Sequence, residues 1–77
     1  MNNPIPLINL KEGEKAIIVS ITCEVDVTQR LIDMGLIPGT EITVIKSAFF
    51  GPIEISVRSS KLAVGRGIAA KILVKRK

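Results

Sequence analysis

The segment RLIDMGLIPGTEITVI, residues 30–45, constrains the fold more than any other part of this chain. It reads as the end of a helix, a glycine cap, a Pro-Gly turn and the start of a strand. Gly35 fits the position just after a helix, where φ must be positive and a side chain is unfavourable. In that register Leu31 and Leu36 form the hydrophobic contact of a Schellman ending. The segment therefore predicts a helix that stops at Gly35.

The residues on either side of this cap predict a turn and a helix start. Pro38 presets φ for the second position of a type II turn, and Gly39 takes the positive φ of the third position. Upstream, Asp26 lies three residues before Gln29, which is the spacing of a capping box. The predicted structural residues are therefore Asp26, Gly35, Pro38 and Gly39.

Short alternating segments predict that most of the remaining chain forms strands. Apolar residues make up 47% of the sequence and are mostly Ile, Val and Leu, a bias typical of strands. The alternation is strictest in IEISVRS, residues 53–59. In KAIIVSIT, residues 15–22, we expect Ile17, Val19 and Ile21 on one face and Ile18 on the other, which should therefore be partly covered.

The length and the order of these segments predict the architecture. A chain of 77 residues can bury one small core, so residues 1–77 are expected to form a single domain. Residues 59–67 are predicted to be irregular, followed by a helical turn near residues 68–70 and a last strand. Short strands, one small helix after the first strand and many turns predict a mainly β fold. A small closed barrel satisfies this pattern without exposed sheet edges.

Charge is distributed unevenly along the chain. Residues 1–45 hold three basic and six acidic side chains, whereas residues 46–77 hold eight basic side chains against Glu54 alone. The overall charge is +4. A basic half of this kind attracts acidic partners such as nucleic acid, an anionic membrane or an acidic protein face.

Three segments of the sequence resemble a known family. RLIDMGLIPGTEITVIKS, the hairpin GPIEISVR and the ending AAKILV resemble the small FeoA-type proteins of bacterial ferrous-iron transport. The resemblance covers roughly residues 7–75 and is most specific in RLIDMGLIPG. It implies an SH3-like β-barrel with one short α-helix inserted after the first strand. The sequence departs from the family in loops at residues 49–52, 59–60 and 64–67, which leaves the core pattern intact.

No combination of residues in the sequence indicates catalysis or metal binding. Histidine is absent, which removes the usual general base and the commonest metal ligand. Cys23 is the one cysteine and has no histidine to activate it. The carboxylates are scattered, whereas ferrous iron needs a preorganised set of nitrogen and oxygen ligands. We therefore predict no enzymatic activity, no small-molecule substrate, no cofactor and no metal site, despite the association with iron.

Phe49 and Phe50 are the candidate partner-binding residues with the clearest physical argument. Alternate residues of a strand face opposite sides, so two adjacent rings cannot both point into one core. At least one ring is therefore expected at the surface, where it either covers the barrel mouth or contacts a protein. The end of the predicted helix is the second part of this hypothesis. The partner-binding set is Phe49, Phe50, Gly51, Pro52, Met34 and Leu36.

The basic half contains a second candidate surface, for which two interpretations remain. Its members are Arg58, Lys61, Arg66 and Lys71. They form either a solvated surface that keeps a small domain in solution or an electrostatic footprint for phosphate groups or an acidic protein. Nucleic acid is the less favoured partner because the chain has no Tyr, Trp or His, and only two phenylalanines could stack on bases.

The resemblance implies a non-enzymatic cytoplasmic adaptor of ferrous-iron uptake. Its partner would be the cytoplasmic part of the large membrane GTPase that transports Fe²⁺, with contact to the membrane only through that partner. The start MNNPIPL lacks the pattern of a secretion leader, and no apolar run approaches the roughly 18 residues of a membrane span. Both observations favour a cytoplasmic location.

Two alternatives stay open at the level of sequence. One is an SH3-like module that binds nucleic acid through Arg58, Lys61, Arg66 and residues 71–77, which tight, salt-dependent binding to RNA or DNA would favour. The other is an isolated regulatory domain that binds a repressor. A transporter gene next to this one would favour the adaptor.

The lack of a ligand set predicts that the protein folds fully without metal. Its thermal unfolding midpoint, measured by calorimetry under reducing conditions, should not move when a chelator or equimolar Fe²⁺ is added. A reproducible rise of several degrees with Fe²⁺ would contradict the ligand argument.

Overall fold

The structure is a computed structural model that describes residues 3–47 and 50–77, and its main element is one antiparallel sheet. The strands are β1 (Ile5–Pro6), β2 (Lys15–Ile21), β3 (Glu41–Lys46), β4 (Ile53–Val57), β5 (Ser60–Val64) and β6 (Ile72–Arg76). Helix α1 (Val25–Asp33) connects β2 to β3, helix α2 (Arg66–Ala69) precedes β6, and a 3₁₀ turn spans Leu7–Asn9. The order of strands in the sheet is β1-β6-β2-β3-β4-β5.

One hydrophobic core lies inside the sheet. Its largest fully buried side chains are Leu7, Ile18, Leu36, Ile42, Ile53, Ile55 and Ile72. Because β2 through β6, both α-helices and the 3₁₀ turn all contribute to this cluster, the sheet has to curve around it. The predicted mainly β fold is confirmed, with a short helix after the first long strand. The two-residue strand β1, which pairs with β6, was not predicted.

The face of β2 that carries Ile18, expected to be partly covered, is the face that the core buries. Ala16 and Ile18 are buried, whereas Ile17 and Val19 are only half-buried. The register with β6 shifts between Ile18 and Ser20, so a bulge interrupts the alternation of β2. As a result Ile21, which pairs with the buried Ile72, returns to the core side. A strand with isoleucine on both faces gave no local signal for this choice.

Residues 59–67, predicted to be irregular, contain strand β5. Ser60 pairs with Val57, and β5 follows β4 as an antiparallel hairpin with a two-residue connection. Arg58, the first residue of that connection, has a φ of +58°. The helical turn after β5 and the last strand β6 are confirmed.

The predicted capping box at the start of α1 is wrong. The N-cap residue is Glu24, and no side chain caps the helix there. Asp26 lies two positions further in, within the first turn, where its negative charge interacts favourably with the positive end of the helix dipole. The Thr28 amide donates to the Glu24 carbonyl oxygen at 2.8 Å, and the Thr28 hydroxyl donates to the Cys23 carbonyl oxygen at 3.1 Å.

The predicted helix end is confirmed in each of its parts. Gly35 has a φ of +100°. The Leu36 amide donates to the Leu31 carbonyl oxygen, and the Gly35 amide donates to the Ile32 carbonyl oxygen, both at 2.9 Å. These two hydrogen bonds define a Schellman motif. Leu31 and Leu36 are both buried in the core.

The turn that follows joins the helix to the sheet. Gly39 has a φ of +94°, and the Thr40 amide donates to the Ile37 carbonyl oxygen at 3.0 Å, as a type II turn requires. The Gly39 amide also donates to the Ile18 carbonyl oxygen at 2.7 Å, and the Ile18 amide donates to the Thr40 carbonyl oxygen at 3.0 Å. The predicted Pro38-Gly39 turn is therefore confirmed and is fixed to the middle of β2.

The cap leads to a prediction about stability. Gly35→Ala should lower the free energy of unfolding by roughly 1–2 kcal/mol, because a side chain is strained at this φ. The added Cβ would lie 3.7 Å from Val57 Cγ1, an ordinary contact, so the cost comes from the backbone.

Gly67→Ala is the matched control, since it adds the same methyl group in α2, where nothing lies within 4 Å and φ is not positive. Helix propensity predicts a neutral or slightly stabilising effect there, up to about 1 kcal/mol. Urea unfolding measures both variants. Equal midpoints would mean that Gly35 does not act as a conformational cap.

Candidate functional site

The connection between β3 and β4 carries Phe50, the one aromatic side chain among the described residues. Phe50 is 89% exposed, and the following Gly51, with a φ of +84°, and Pro52 are exposed as well. Phe49 lies outside the described residues. The prediction that at least one of the two rings lies at the surface is confirmed by Phe50.

A second apolar side chain belongs to the same hairpin. The register between β3 and β4 shifts between Val44 and Lys46, and Ile45, at this irregularity, is an exposed hydrophobic residue. We call Ile45, Phe50, Gly51 and Pro52 the hairpin tip. It presents apolar surface to solvent next to the exposed Lys46.

Backbone hydrogen bonds hold the base of this hairpin to the turn before β2. The Gly13 amide donates to the Val44 carbonyl oxygen at 2.8 Å, and the Val44 amide donates to the Glu14 carbonyl oxygen at 2.9 Å. The Ser47 amide donates to Glu12 Oε2 at 3.1 Å. The base of the hairpin is therefore fixed to the turn before β2.

The other two residues of the predicted partner-binding set do not join the hairpin tip. Leu36 has 0% of its surface exposed, so its assignment as a contact residue is wrong. Met34, at the C-cap of α1, is exposed, but it lies near the turn that opens β3, whereas Phe50 follows the other end of that strand. A six-residue strand is roughly 17–20 Å long. The residues of the predicted set thus lie in two separate places.

The predicted basic surface is also divided. Lys61 pairs with Ser56 in the β4–β5 hairpin that Arg58 closes. Lys71 lies elsewhere, because its carbonyl oxygen accepts a hydrogen bond of 2.7 Å from the Thr22 hydroxyl just beyond the end of β2. Arg66 begins α2. These four residues therefore do not form one continuous stripe.

The last residue of β6 and the residue after it are cations that pair with carboxylates from the acidic part of the chain. Arg76 Nε lies 2.8 Å from Glu14 Oε2, and Lys77 Nζ lies 2.5 Å from Glu41 Oε1. The Lys11 amide and Arg76 both donate to Glu14 and lower the pKa of its carboxyl group. Lys77 lowers the pKa of Glu41 in the same way. The charged end of β6 is thus paired with the turn before β2 and with the start of β3.

Two grooves mark the surface of the described residues. A polar groove of about 490 Å³ is lined by Gly39, Thr40, Glu41, Thr43, Ser56 and Arg58. A smaller groove of about 350 Å³ lies between the start of α1 and α2, and its apolar wall includes Cys23, Val27 and Ile68. The two grooves share no lining residue, and neither includes the hairpin tip.

Across residues 3–47 and 50–77, no three His, Cys, Asp or Glu side chains come together as a metal site. Cys23 is a half-buried free thiol. In the same part of the chain, no helix is long and apolar enough to cross a membrane.

Comparisons with known proteins agree on one family. Residues 5–76 match the FeoA domain. A protein of Methanocaldococcus jannaschii, named as a candidate Fe(2+) transport protein A, is 42% identical over 69 residues, which cover 90% of this chain and 83% of that protein.

Solved structures give the same result. The crystal structure of an iron uptake regulatory protein, FeoA, superposes with a TM-score of 0.90 at 37% identity, covering 97% of this chain and 100% of that one. The solution structure of the FeoA protein from Chlorobium tepidum superposes with a TM-score of 0.88 at 33% identity, covering 94% of this chain and 70% of that one. The predicted SH3-like barrel is confirmed by these similarities.

Proposed function

The chain belongs to the FeoA domain family, whose members take part in Fe²⁺ transport, and on this premise we propose the following function. The protein is a non-enzymatic cytoplasmic accessory protein that binds and modulates the cytoplasmic part of the membrane GTPase that transports Fe²⁺. The observation that carries this proposal is the exposure of Phe50 on a hairpin whose base is held by hydrogen bonds.

An exposed phenylalanine on a fixed support has the properties of a binding anchor. Phe50 keeps 89% of its surface in water, although burying a phenylalanine is worth about 1.5–3 kcal/mol. A partner with an apolar pocket recovers that energy on binding. Because the hairpin base is already ordered, little conformational entropy is lost at the same time.

Charge supports the encounter with an acidic partner face. The overall charge is +4, and Lys46 is exposed at the end of β3 beside the hairpin tip. Complementary charge mainly raises the rate of association and fixes orientation, while the anchor supplies affinity. The hairpin tip and Lys46 thus divide these two tasks.

Two observations weigh against nucleic acid as the main partner. The basic residues that would form its footprint are divided between the β4–β5 hairpin and the far end of β2. Arg76 and Lys77 already pair with carboxylates. This arrangement therefore does not favour a continuous cationic track along a phosphate backbone.

The anchor hypothesis predicts the behaviour of Phe50→Ser. Because the ring is exposed, the free energy of unfolding in urea should change by no more than about 0.5 kcal/mol. Affinity for the soluble GTPase part of the transporter, measured by calorimetry, should fall about thirtyfold, the loss of a hot spot worth about 2 kcal/mol.

Val25→Ser is the matched control, because Val25 is 86% exposed but begins α1 instead of the hairpin. It also removes exposed apolar surface, although less than Phe50→Ser does, and it should bind the partner like the unmodified protein. Unchanged affinity of the Phe50→Ser variant would refute the hairpin tip as the contact site, and so would an equal loss in both variants.

A further inference from the structure

The polar groove lies on the solvent face of the sheet, where β3 and β4 run side by side. Ile42 and Val44 of β3 point into the core, so the intervening Thr43 points outward. Ser56 lies directly opposite Thr43 across the β3–β4 ladder. Residues facing each other in this way have Cβ atoms about 5 Å apart, so the two hydroxyl groups lie together on the groove floor.

Lysines flank this pair of hydroxyl groups on both sides. Lys15 of β2 lies opposite Thr43, and Lys61 of β5 lies opposite Ser56. The Lys77 amide extends the row by donating to the Lys15 carbonyl oxygen at 3.0 Å. A row of cation, hydroxyl, hydroxyl and cation therefore crosses four strands on the solvent face.

Arg58 completes the groove at a conformational cost. It lines the groove immediately after β4 and is the one non-glycine residue with a positive φ among the described residues. Its φ of +58° lies in the left-handed region, which costs most residues about 1–2 kcal/mol and which glycine adopts freely. A two-residue hairpin connection itself requires this positive φ, so the turn carries an arginine where a glycine would cost less.

One carboxylate lines the groove, and it is already neutralised by a partner. Glu41 accepts a hydrogen bond of 2.5 Å from Lys77 Nζ. Its charge is therefore compensated by a cation that does not line the groove. Arg58 is the one cation among the lining residues, and Lys15 and Lys61 flank the groove from the neighbouring strands. The groove consequently presents positive charge together with hydroxyl donors.

We propose that this groove binds a phosphoryl group of a small ligand. The guanidinium of Arg58 supplies paired donors that match phosphate oxygens, and the Thr43 and Ser56 hydroxyls donate to the same group. Lys15 and Lys61 add longer-range attraction. The lining residues include no aromatic ring that could stack on a base, so recognition ends at the phosphate. This site lies apart from the hairpin tip and adds a ligand to the proposed partner-binding function.

Chemical-shift titration of the ¹⁵N-labelled protein with inorganic pyrophosphate tests this proposal at constant ionic strength. Saturable shifts should centre on the amides of Thr43, Ser56 and Arg58. Titration with GTP and with guanosine distinguishes the sources of the phosphoryl group. GTP should bind about as tightly as pyrophosphate, whereas guanosine should not bind.

Three variants separate recognition from folding. Arg58→Gly removes the guanidinium and relieves the positive φ, so it should be as stable as the unmodified protein or more stable, yet bind pyrophosphate about tenfold more weakly. Thr43→Val keeps the shape and strand propensity of the side chain and should weaken binding about threefold. Lys71→Gln removes one positive charge at the far end of β2 and should change affinity less than about twofold.

Each contrary outcome would overturn the proposal. If pyrophosphate causes no saturable shifts, there is no site. Equal losses of affinity in the Lys71→Gln and Arg58→Gly variants would mean that only the overall charge of the protein matters. Binding of GTP more than tenfold tighter than pyrophosphate would refute recognition that ends at the phosphate. None of these measurements involves partner binding through Phe50. Failure of the phosphoryl-binding proposal therefore does not decide the partner-binding proposal.

Discussion

The hydrogen bond from the Leu36 amide to the Leu31 carbonyl oxygen, 2.9 Å long, fixes how the helix joins the sheet. It forms only because Gly35 adopts a positive φ, and it places two leucines in the same core. The Pro-Gly turn that follows is bonded to Ile18 in β2, so the start of β3 is set against its neighbour. Since β3 then sets the register of β4, the hairpin tip and the polar groove both depend on this one helix ending.

Sequence predicted best those features that single residues impose on the backbone. Gly35 and Gly39 were assigned correctly because a positive φ excludes most other side chains. The face of β2 was not predictable, because Ile17 and Ile18 are chemically the same and the bulge is set by pairing with β6. The sequence did not predict strand β5 because this strand lies at one edge of the sheet. All of its residues except Leu62 and Val64 are exposed. Its sequence therefore carries little alternation.

For the candidate sites too, the sequence predicted features that neighbouring residues determine and missed features that depend on pairing between distant strands. Adjacent phenylalanines predicted an exposed ring, which is a local argument, and Phe50 is exposed. Leu36 was assigned to the partner surface, yet the residue that closes a Schellman ending belongs to the core. The polar groove brings together Lys15, Thr43 and Ser56 through strand pairing, which sequence spacing does not reveal.

We expect a rigid barrel that displays Phe50 as an anchor while the helix cap stays unchanged, and amide hydrogen exchange tests this directly. The measurement compares the free protein with the protein mixed with the soluble GTPase part of the proposed partner, the Fe²⁺ transporter. We expect the Leu36 and Gly39 amides to exchange only through global unfolding in both states, because they donate backbone hydrogen bonds. The Phe50 and Gly51 amides should gain protection in the complex. Protection gained instead along the groove of Cys23, Val27 and Ile68, with the hairpin tip unchanged, would contradict the account.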